Sequence, residues 1–320
     1  MRKLSFVGKM AACVVFSLMF GNPVLAQISL RTALDGDRDG NADYTIFPPS
    51  NSIWYRLFSS GGIGMQAFGM SDTDFMTPGD YDGDGIGDVA VWRETTGEWW
   101  VIYSSNYAIA RQLWGVAGDE PVARDYDGDG RTDFAIARRA NGIITWWIIK
   151  SSDQNLIVFN WGVPTDFVAP GDYDGDGRFD VAIQRPGAQP TDPATFWIIY
   201  SSNFGLDQIV FGQSADLVVP GDYDGDGMTD LAVVRETGAP NNWLRWIIRY
   251  SSTGQIVEED WGVAATDLTV QNDYDGDGKT DIAVWRNTEG RFYVVFSTGG
   301  VGQIHWGEPN DYPVASYDTH

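Results

Sequence analysis

Past an N-terminal apolar run, the chain is a succession of short β-branched and aromatic segments cut by clusters of Gly, Asp, Ser and Pro. Four kinds of segment recur in a fixed order. The first is brief and precedes a polar loop (Pro121-Val-Ala-Arg124, Phe167-Val-Ala-Pro170, Leu217-Val-Val-Pro220), and the second follows that loop (Asp88-Val-Ala-Val-Trp-Arg93, Asp281-Ile-Ala-Val-Trp-Arg286). The third is aromatic (Trp99-Trp-Val-Ile-Tyr103, Trp146-Trp-Ile-Ile149, Phe196-Trp-Ile-Ile-Tyr200, Trp246-Ile-Ile248, Phe292-Tyr-Val-Val-Phe296) and usually ends in Ser-Ser or Ser-Thr, which reads as a turn. The fourth closes on an aromatic-Gly pair: Phe68-Gly69, Trp114-Gly115, Trp161-Gly162, Phe211-Gly212, Trp261-Gly262 and Trp306-Gly307. No helical period appears outside the N-terminal run, so the pattern predicts an all-β chain.

The polar loop between the first two segments carries the chemistry. In Asp125-Tyr-Asp-Gly-Asp-Gly-Arg-Thr-Asp133, carboxylates stand at positions 1, 3, 5 and 9 and glycine at position 6. Alternate spacing lets the side chains converge, and the glycine permits the reversal that brings position 9 back to them. Carboxylates this close repel one another unless a cation lies among them, and an all-oxygen set without His or Cys selects a hard ion, calcium before zinc or copper. An EF-hand would place Glu at position 12 between two helices; here position 12 is Ile46, Val91, Ile136, Ile183, Val233 or Val284, within a strand-like run, and that reading fails.

The loop occurs six times, beginning at Asp35, Asp80, Asp125, Asp172, Asp222 and Asp273, at intervals of 45, 45, 47, 50 and 51 residues. Position 7 is Asn41, Ile86, Arg131, Arg178, Met228 and Lys279 in turn, an indifference expected where the backbone carbonyl is the ligand. The side-chain ligands expected are therefore Asp35, Asp37, Asp39 and Asp43; Asp80, Asp82, Asp84 and Asp88; Asp125, Asp127, Asp129 and Asp133; Asp172, Asp174, Asp176 and Asp180; Asp222, Asp224, Asp226 and Asp230; and Asp273, Asp275, Asp277 and Asp281, for up to six Ca²⁺. Four strands per repeat and six repeats predict a six-bladed β-propeller with a calcium loop between the first and second strand of each blade. A propeller must close its ring. The tail Asp311-Tyr-Pro-Val-Ala-Ser-Tyr-Asp318 matches Asp119-Glu-Pro-Val-Ala-Arg124 and then stops, so residues 312–317 are expected to give the first blade a strand; Ile28 to Leu34 is the rival.

The run Phe211-Gly212 with Val219-Pro-Gly-Asp-Tyr-Asp-Gly-Asp-Gly227 resembles the FG-GAP repeat and its VCBS variant of bacterial secreted proteins, over essentially the whole of residues 27–320. The resemblance implies a propeller like the head of integrin α subunits or some carbohydrate-binding propellers, with calcium in the loop between the first two strands. Gly36 at position 2 and Arg38 at position 4 set the first copy apart.

Residues 1–26 have the layout of a secretory signal: Arg2, Lys3 and Lys9, an apolar run from Met10 to Phe20, and Val24-Leu25-Ala26 before Gln27. Cleavage there removes Cys13, the only cysteine, so calcium and not a disulfide would supply rigidity to a protein expected at the cell surface, in the periplasm or outside the cell. The formal charge is −23, and the six loops hold 24 of the 44 acidic residues, so the acidity reflects metal sites. With only Lys150 and Lys279 left as lysines after cleavage, nucleic acid is excluded as a partner, and no later segment is apolar enough to insert in a membrane.

Repetition argues for structure: catalysis would be expected at one place, and loops recurring in every blade are expected to stabilise it. Arg93, Arg138, Arg185, Arg235 and Arg286 recur 13 residues after each loop's first Asp, with Pro48 in the first copy, and are expected to stack on Trp or to pair with an acidic loop. Asp74, Asp119, Asp166, Asp216, Asp267 and Asp311 recur in a turn, and Trp99, Trp146, Trp197 and Trp246 fit packing between blades. Features that vary are the better ligand candidates: Tyr107 and Phe204 after the Ser pairs, and the insertions 186–195 and 236–243. The expectation is a monomeric binding or adhesion module for carbohydrate or a cell-surface protein. A glycosidase or polysaccharide lyase is the alternative, for which Glu94, Glu98 and Asp119 show no singular pairing and only His305 and His320 are available as histidines.

Overall fold

The computed structural model describes residues 32–315. The signal segment and residues 316–320 lie outside that range. The described residues form six four-stranded antiparallel sheets, arranged in a ring as blades. Blade 1 holds β1 (Tyr44–Phe47), β2 (Ile53–Leu57) and β3 (Ile63–Ala67); blade 2, β4 (Asp74–Met76) to β7 (Ile109–Leu113); blade 3, β8 (Glu120–Pro121) to β11 (Leu156–Asn160). Blade 4 runs from β12 (Phe167–Val168) to β15 (Leu206–Gln213), blade 5 from β16 (Leu217–Val218) to β19 (Ile256–Val263), and blade 6 from β20 (Asp267–Thr269) to β23 (Val301–His305). No helix here is long and apolar enough to cross a membrane.

The ring closes through the C-terminal segment. β24 (Tyr312–Pro313) pairs antiparallel with β1, Ile46 opposite Pro313, and Val314 N–H donates to Thr45 O at 3.0 Å. Of the rival segment, the described residues Thr32 to Leu34 form no strand. They run beside the second loop, where a side chain at Gly87 would meet the carbonyls of Thr32 and Ala33 at 2.5 Å.

Each blade alternates its side chains along the strands, and the inward positions pack against the next blade. The third strand contributes one large ring in every blade, Trp54, Trp99, Trp146, Phe196, Trp246 and Phe292, all fully buried, and the second strand adds Trp92 and Trp285 in blades 2 and 6. The aromatic-Gly pairs are hinges between blades. In four of them the carbonyl accepts the indole of its own third strand: Trp54 to Phe68, Trp99 to Trp114, Trp146 to Trp161 and Trp246 to Trp261, at 2.9–3.1 Å. Four indoles then donate across to the third strand of the following blade: Trp114 to Trp147 O, Trp161 to Trp197 O, Trp261 to Tyr293 O and Trp306 to Tyr55 O, at 3.1–3.3 Å. The last of these spans the seam between blades 6 and 1.

The recurring arginines do both of the things the sequence left open, except that the acid lies outside the acidic loops. Arg93, Arg138, Arg185, Arg235 and Arg286 each make a two-pronged pair with Asp74, Asp119, Asp166, Asp216 and Asp267 at 2.7–2.8 Å. Four of them also lie over the aromatic after the buried third-strand ring, with Arg286 4.5 Å from the Tyr293 centroid. These pairs sit at the blade ends opposite the acidic loops, and so do the two insertions. β14 begins at Pro193 and β18 at Trp243, so each insertion is shortened to 186–192 and 237–242. The first is tied down by Ser214 N–H to Asp192 O at 3.0 Å and Gly187 N–H to Ser214 Oγ at 2.6 Å.

Candidate functional site

Each acidic loop is wound by its own carboxylates. The position 1 carboxylate accepts the amides of positions 4 and 6, as in Gly128 and Gly130 to Asp125 at 2.6 and 2.8 Å. Both donors have positive φ (77° and 84°), a conformation glycine adopts without strain. Position 9 folds back to accept the amide of position 2, Tyr126 to Asp133 at 2.9 Å. The Tyr hydroxyl is buried and donates to the carbonyl four residues earlier, Val122 O at 2.7 Å, which pins the loop to the first strand. Position 5 caps the turn by accepting the position 7 amide, Arg131 to Asp129 at 2.9 Å.

The Ser-Ser and Ser-Thr pairs, read from sequence as a turn, belong to this site. In every blade the first Ser gives its amide to the position 9 carboxylate and its hydroxyl to position 5: Ser104 to Asp88 and Asp84, Ser201 to Asp180 and Asp176, Ser297 to Asp281 and Asp277. The second hydroxyl donates to position 3, as Ser105 to Asp82, Ser152 to Asp127 and Thr298 to Asp275 at 2.5 Å, and Ser60, Ser202 and Ser252 likewise to Asp37, Asp174 and Asp224. The sign was their recurrence about 20 residues after the loop in all six copies.

The loops are also joined to one another. The position 8 amide of each donates to the position 1 carbonyl of the loop before it: Gly87 to Asp35, Thr132 to Asp80, Phe179 to Asp125, Thr229 to Asp172, Thr280 to Asp222 and Ala42 to Asp273, at 2.6–2.9 Å. These six bonds form a closed circle through the six blades. Position 7 packs beside it: a side chain added at Gly83, Gly128, Gly175 or Gly225 would meet Arg131, Arg178, Met228 or Lys279 within about 3 Å.

Carboxylates gather where the spacing places them. In blades 2 to 5 positions 1, 3 and 9 bring oxygens within 4.8 Å of one another (Asp80, Asp82, Asp88; Asp125, Asp127, Asp133; Asp172, Asp174, Asp180; Asp222, Asp224, Asp230), while the first loop gathers Asp35, Asp37 and Asp39. Burial pushes position 9 up to about 7 in Asp43, Asp88, Asp133, Asp230 and Asp281 and to about 8 in Asp180, against amides that pull the other way. Asp172 rises to about 7, and Asp125 and Asp222 to about 6, also through burial. Oδ1 of Asp37 and of Asp174 is buried with no hydrogen-bond partner. Converging oxygens, crowded negative charge and these two orphaned acceptors fit a hard divalent cation held by the loops.

Of the variable features, Tyr107 and Phe204 are 77% and 67% exposed at the tips of the turns beside the acidic loops. Both have positive φ, 58° and 57°, at a turn position where blade 3 has Gln154, at 59°, and blade 5 has Gly254. Glu98 pairs with Arg111, Glu94 accepts Gly118 N–H at 3.1 Å, and Asp119 is spent on Arg138.

Residues 125–183 match the FG-GAP-like repeat. No curated protein matches the sequence. Among solved structures the chain is similar to a streptogramin B lyase, at 12% identity over 88% of this chain and 87% of that one, with a TM-score of 0.50. It is also similar to a catalytically inactive virginiamycin B lyase from Staphylococcus aureus with quinupristin (13%, 88% and 87%, 0.47) and to apo AztD from Citrobacter koseri (10%, 86% and 88%, 0.43). The first of these likenesses is one of fold alone.

Proposed function

We propose that this six-bladed propeller of FG-GAP-like repeats is an exported, calcium-stabilised binding module whose ligand is carbohydrate. Calcium is structural in this reading. The loops recur in every blade, each is bonded to both neighbours, and an ion in one would neutralise carboxylates that otherwise repel. The acids considered for catalysis, Glu94, Glu98 and Asp119, are spent on an amide and on arginines, which favours binding over glycoside cleavage.

The observation that carries the ligand is the pair Tyr107 and Phe204. A bulky side chain held at positive φ, at a turn position that blade 5 fills with Gly254 and blade 3 with the polar Gln154, is strained by about 1–2 kcal/mol, and strain of this kind concentrates at ligand sites. Exposed rings at these tips present flat apolar faces on which the C–H face of a pyranose can stack.

The test is a glycan array probed with residues 27–320, with calcium and after chelation. Calcium-dependent binding to a defined glycan class is expected, weakened about tenfold by Tyr107→Ala or Phe204→Ala with the melting temperature unchanged. An array without binding in either condition overturns the carbohydrate reading and directs the search to cell-surface proteins.

A further inference from the structure

One cleft between blades departs from the repeat. On the loop face, between the outer parts of blades 3 and 4, a cleft of about 250 Å³ is lined by Lys150, Arg178, Phe159, Tyr200, Phe204 and Asp127, among others. Residues at the position of Lys150 in the other blades are Phe58, Tyr103, Tyr200, Tyr250 and Phe296, all rings. Blade 3 alone replaces the ring with a flexible cationic stem, and lysine is rare here.

Arg178 lies opposite, exposed, its stem laid over Gly128 of the third loop. Among the described residues its guanidinium has no ion pair, whereas Arg131, at the same position of its own loop, is held by Asp129 at 2.8 Å. Lys150 is 3.2 Å from Asp153 and 3.7 Å from Asp127. The wall is aromatic: the Phe159 and Phe204 centroids lie 6.1 Å apart, and the Tyr200 hydroxyl donates to Asp207 at 3.0 Å. Asp127 is a loop carboxylate, and an ion in that loop would take up its charge.

We propose that this cleft binds the carboxylate of an acidic saccharide, a uronate unit, with Arg178 and Lys150 on the carboxylate and Phe204 under the ring. The inference rests on the carbohydrate reading above and narrows it to one site and one charge class. A guanidinium not already engaged matches a carboxylate through two parallel N–H bonds, and the strained, exposed Phe204 supplies the stacking face. The volume admits one ring, so the rest of a chain would lie outside.

The repeat supplies its own test variants. Arg178→Met installs the residue of the fifth loop, and Lys150→Tyr installs the ring that fills the position elsewhere, so each places at the site a residue the fold already carries. Trigalacturonate and its methyl ester are titrated calorimetrically into residues 27–320 in calcium, with melting curves to confirm folding. Saturable one-to-one binding is expected, at least about tenfold weaker for the ester and for each variant. Equal affinity for acid and ester, or binding by wild type that Arg178→Met and Lys150→Tyr leave unchanged, overturns this inference and leaves the carbohydrate reading standing. So does an array that finds only neutral glycans while trigalacturonate fails. Failure of every glycan overturns both.

Discussion

Blade 1 and the other five are built to one plan, and they differ where the ring is sealed. In blades 2 to 6 position 2 of the loop is a Tyr whose hydroxyl ties it to the first strand. In blade 1 it is Gly36, where a side chain would come within 2.8 Å of Arg56 Nη1 and 2.9 Å of Asp43 Oδ2. Burial disfavours the Arg56 charge, and the carboxylates of Asp43, Asp88 and Asp35 offset that cost. Position 4 is Arg38 at a φ of 65°, where the other loops have glycine. The gathered carboxylates are Asp35, Asp37 and Asp39, without Asp43. A guanidinium beside the first loop supplies positive charge to its position 9 carboxylate, whereas in the third loop the paired cations, Arg131 and Lys150, lie on Asp129 and Asp127. Blade 1 should therefore depend least on metal.

The largest effect that bears on this contrast is metal removal. Position 9 carboxylates held at about 7 to 8 by burial sit above their unfolded value near 4, so in metal-free protein they favour the fold below pH 4 and that contribution is lost as pH rises through 7 to 8. Chelated protein should melt progressively lower from pH 5 to pH 8. Calcium, which needs the ionised form, should restore more than about 10 °C at pH 8 and less at pH 5. Chelated melts that do not change over that range would show that these carboxylates ionise as freely in the fold as out of it.

A smaller and more selective test neutralises one loop at a time. Asp180→Asn should remove one ion from a calcium titration and lower the melting temperature by several degrees in calcium. Asp43→Asn, beside Arg56, should change the count of tightly bound ions less. Equal losses in the two variants would erase the distinction between blade 1 and the rest.

The smallest effect concerns the opposite face. Arg138→Ala leaves Asp119 buried with only the Val116 amide on its carboxylate, at a cost of about 1–3 kcal/mol in denaturant unfolding. Blade 1 already lacks this pair: Pro48 stands at the arginine position, and burial raises Asp311. Pro48→Arg should therefore stabilise, by about 1 kcal/mol. A neutral result would mean that the β24 turn cannot present Asp311 as the other turns present theirs.

The blades were legible because every repeat carries the same loop, and the ring's closure because Asp311-Tyr-Pro-Val-Ala copies the residues before a loop and then stops. What recurs can be read from one sequence. The Ser pairs recur too, but their role depends on the third strand folding back beside the loop, and turn chemistry accounts for Ser-Ser equally well. The arginines and their aspartates stand 19 residues apart in all five pairs, a constancy that would have matched them had both recurrences been counted from one origin. Arg56 and Lys150 gave no such sign. Each occurs once, and its meaning comes from the residue it replaces and from a neighbouring blade.

The circle of six amide-to-carbonyl bonds gives this protein a mechanical property that open repeat arrays lack. An array frays from its terminal units, which need polar caps. Here the loop before the first is the last, so pulling one repeat out breaks a bond on each side of it and strains the seam at Asp273 and Ala42. Such a body has no weakest terminus, and it holds its six units or lets them go together.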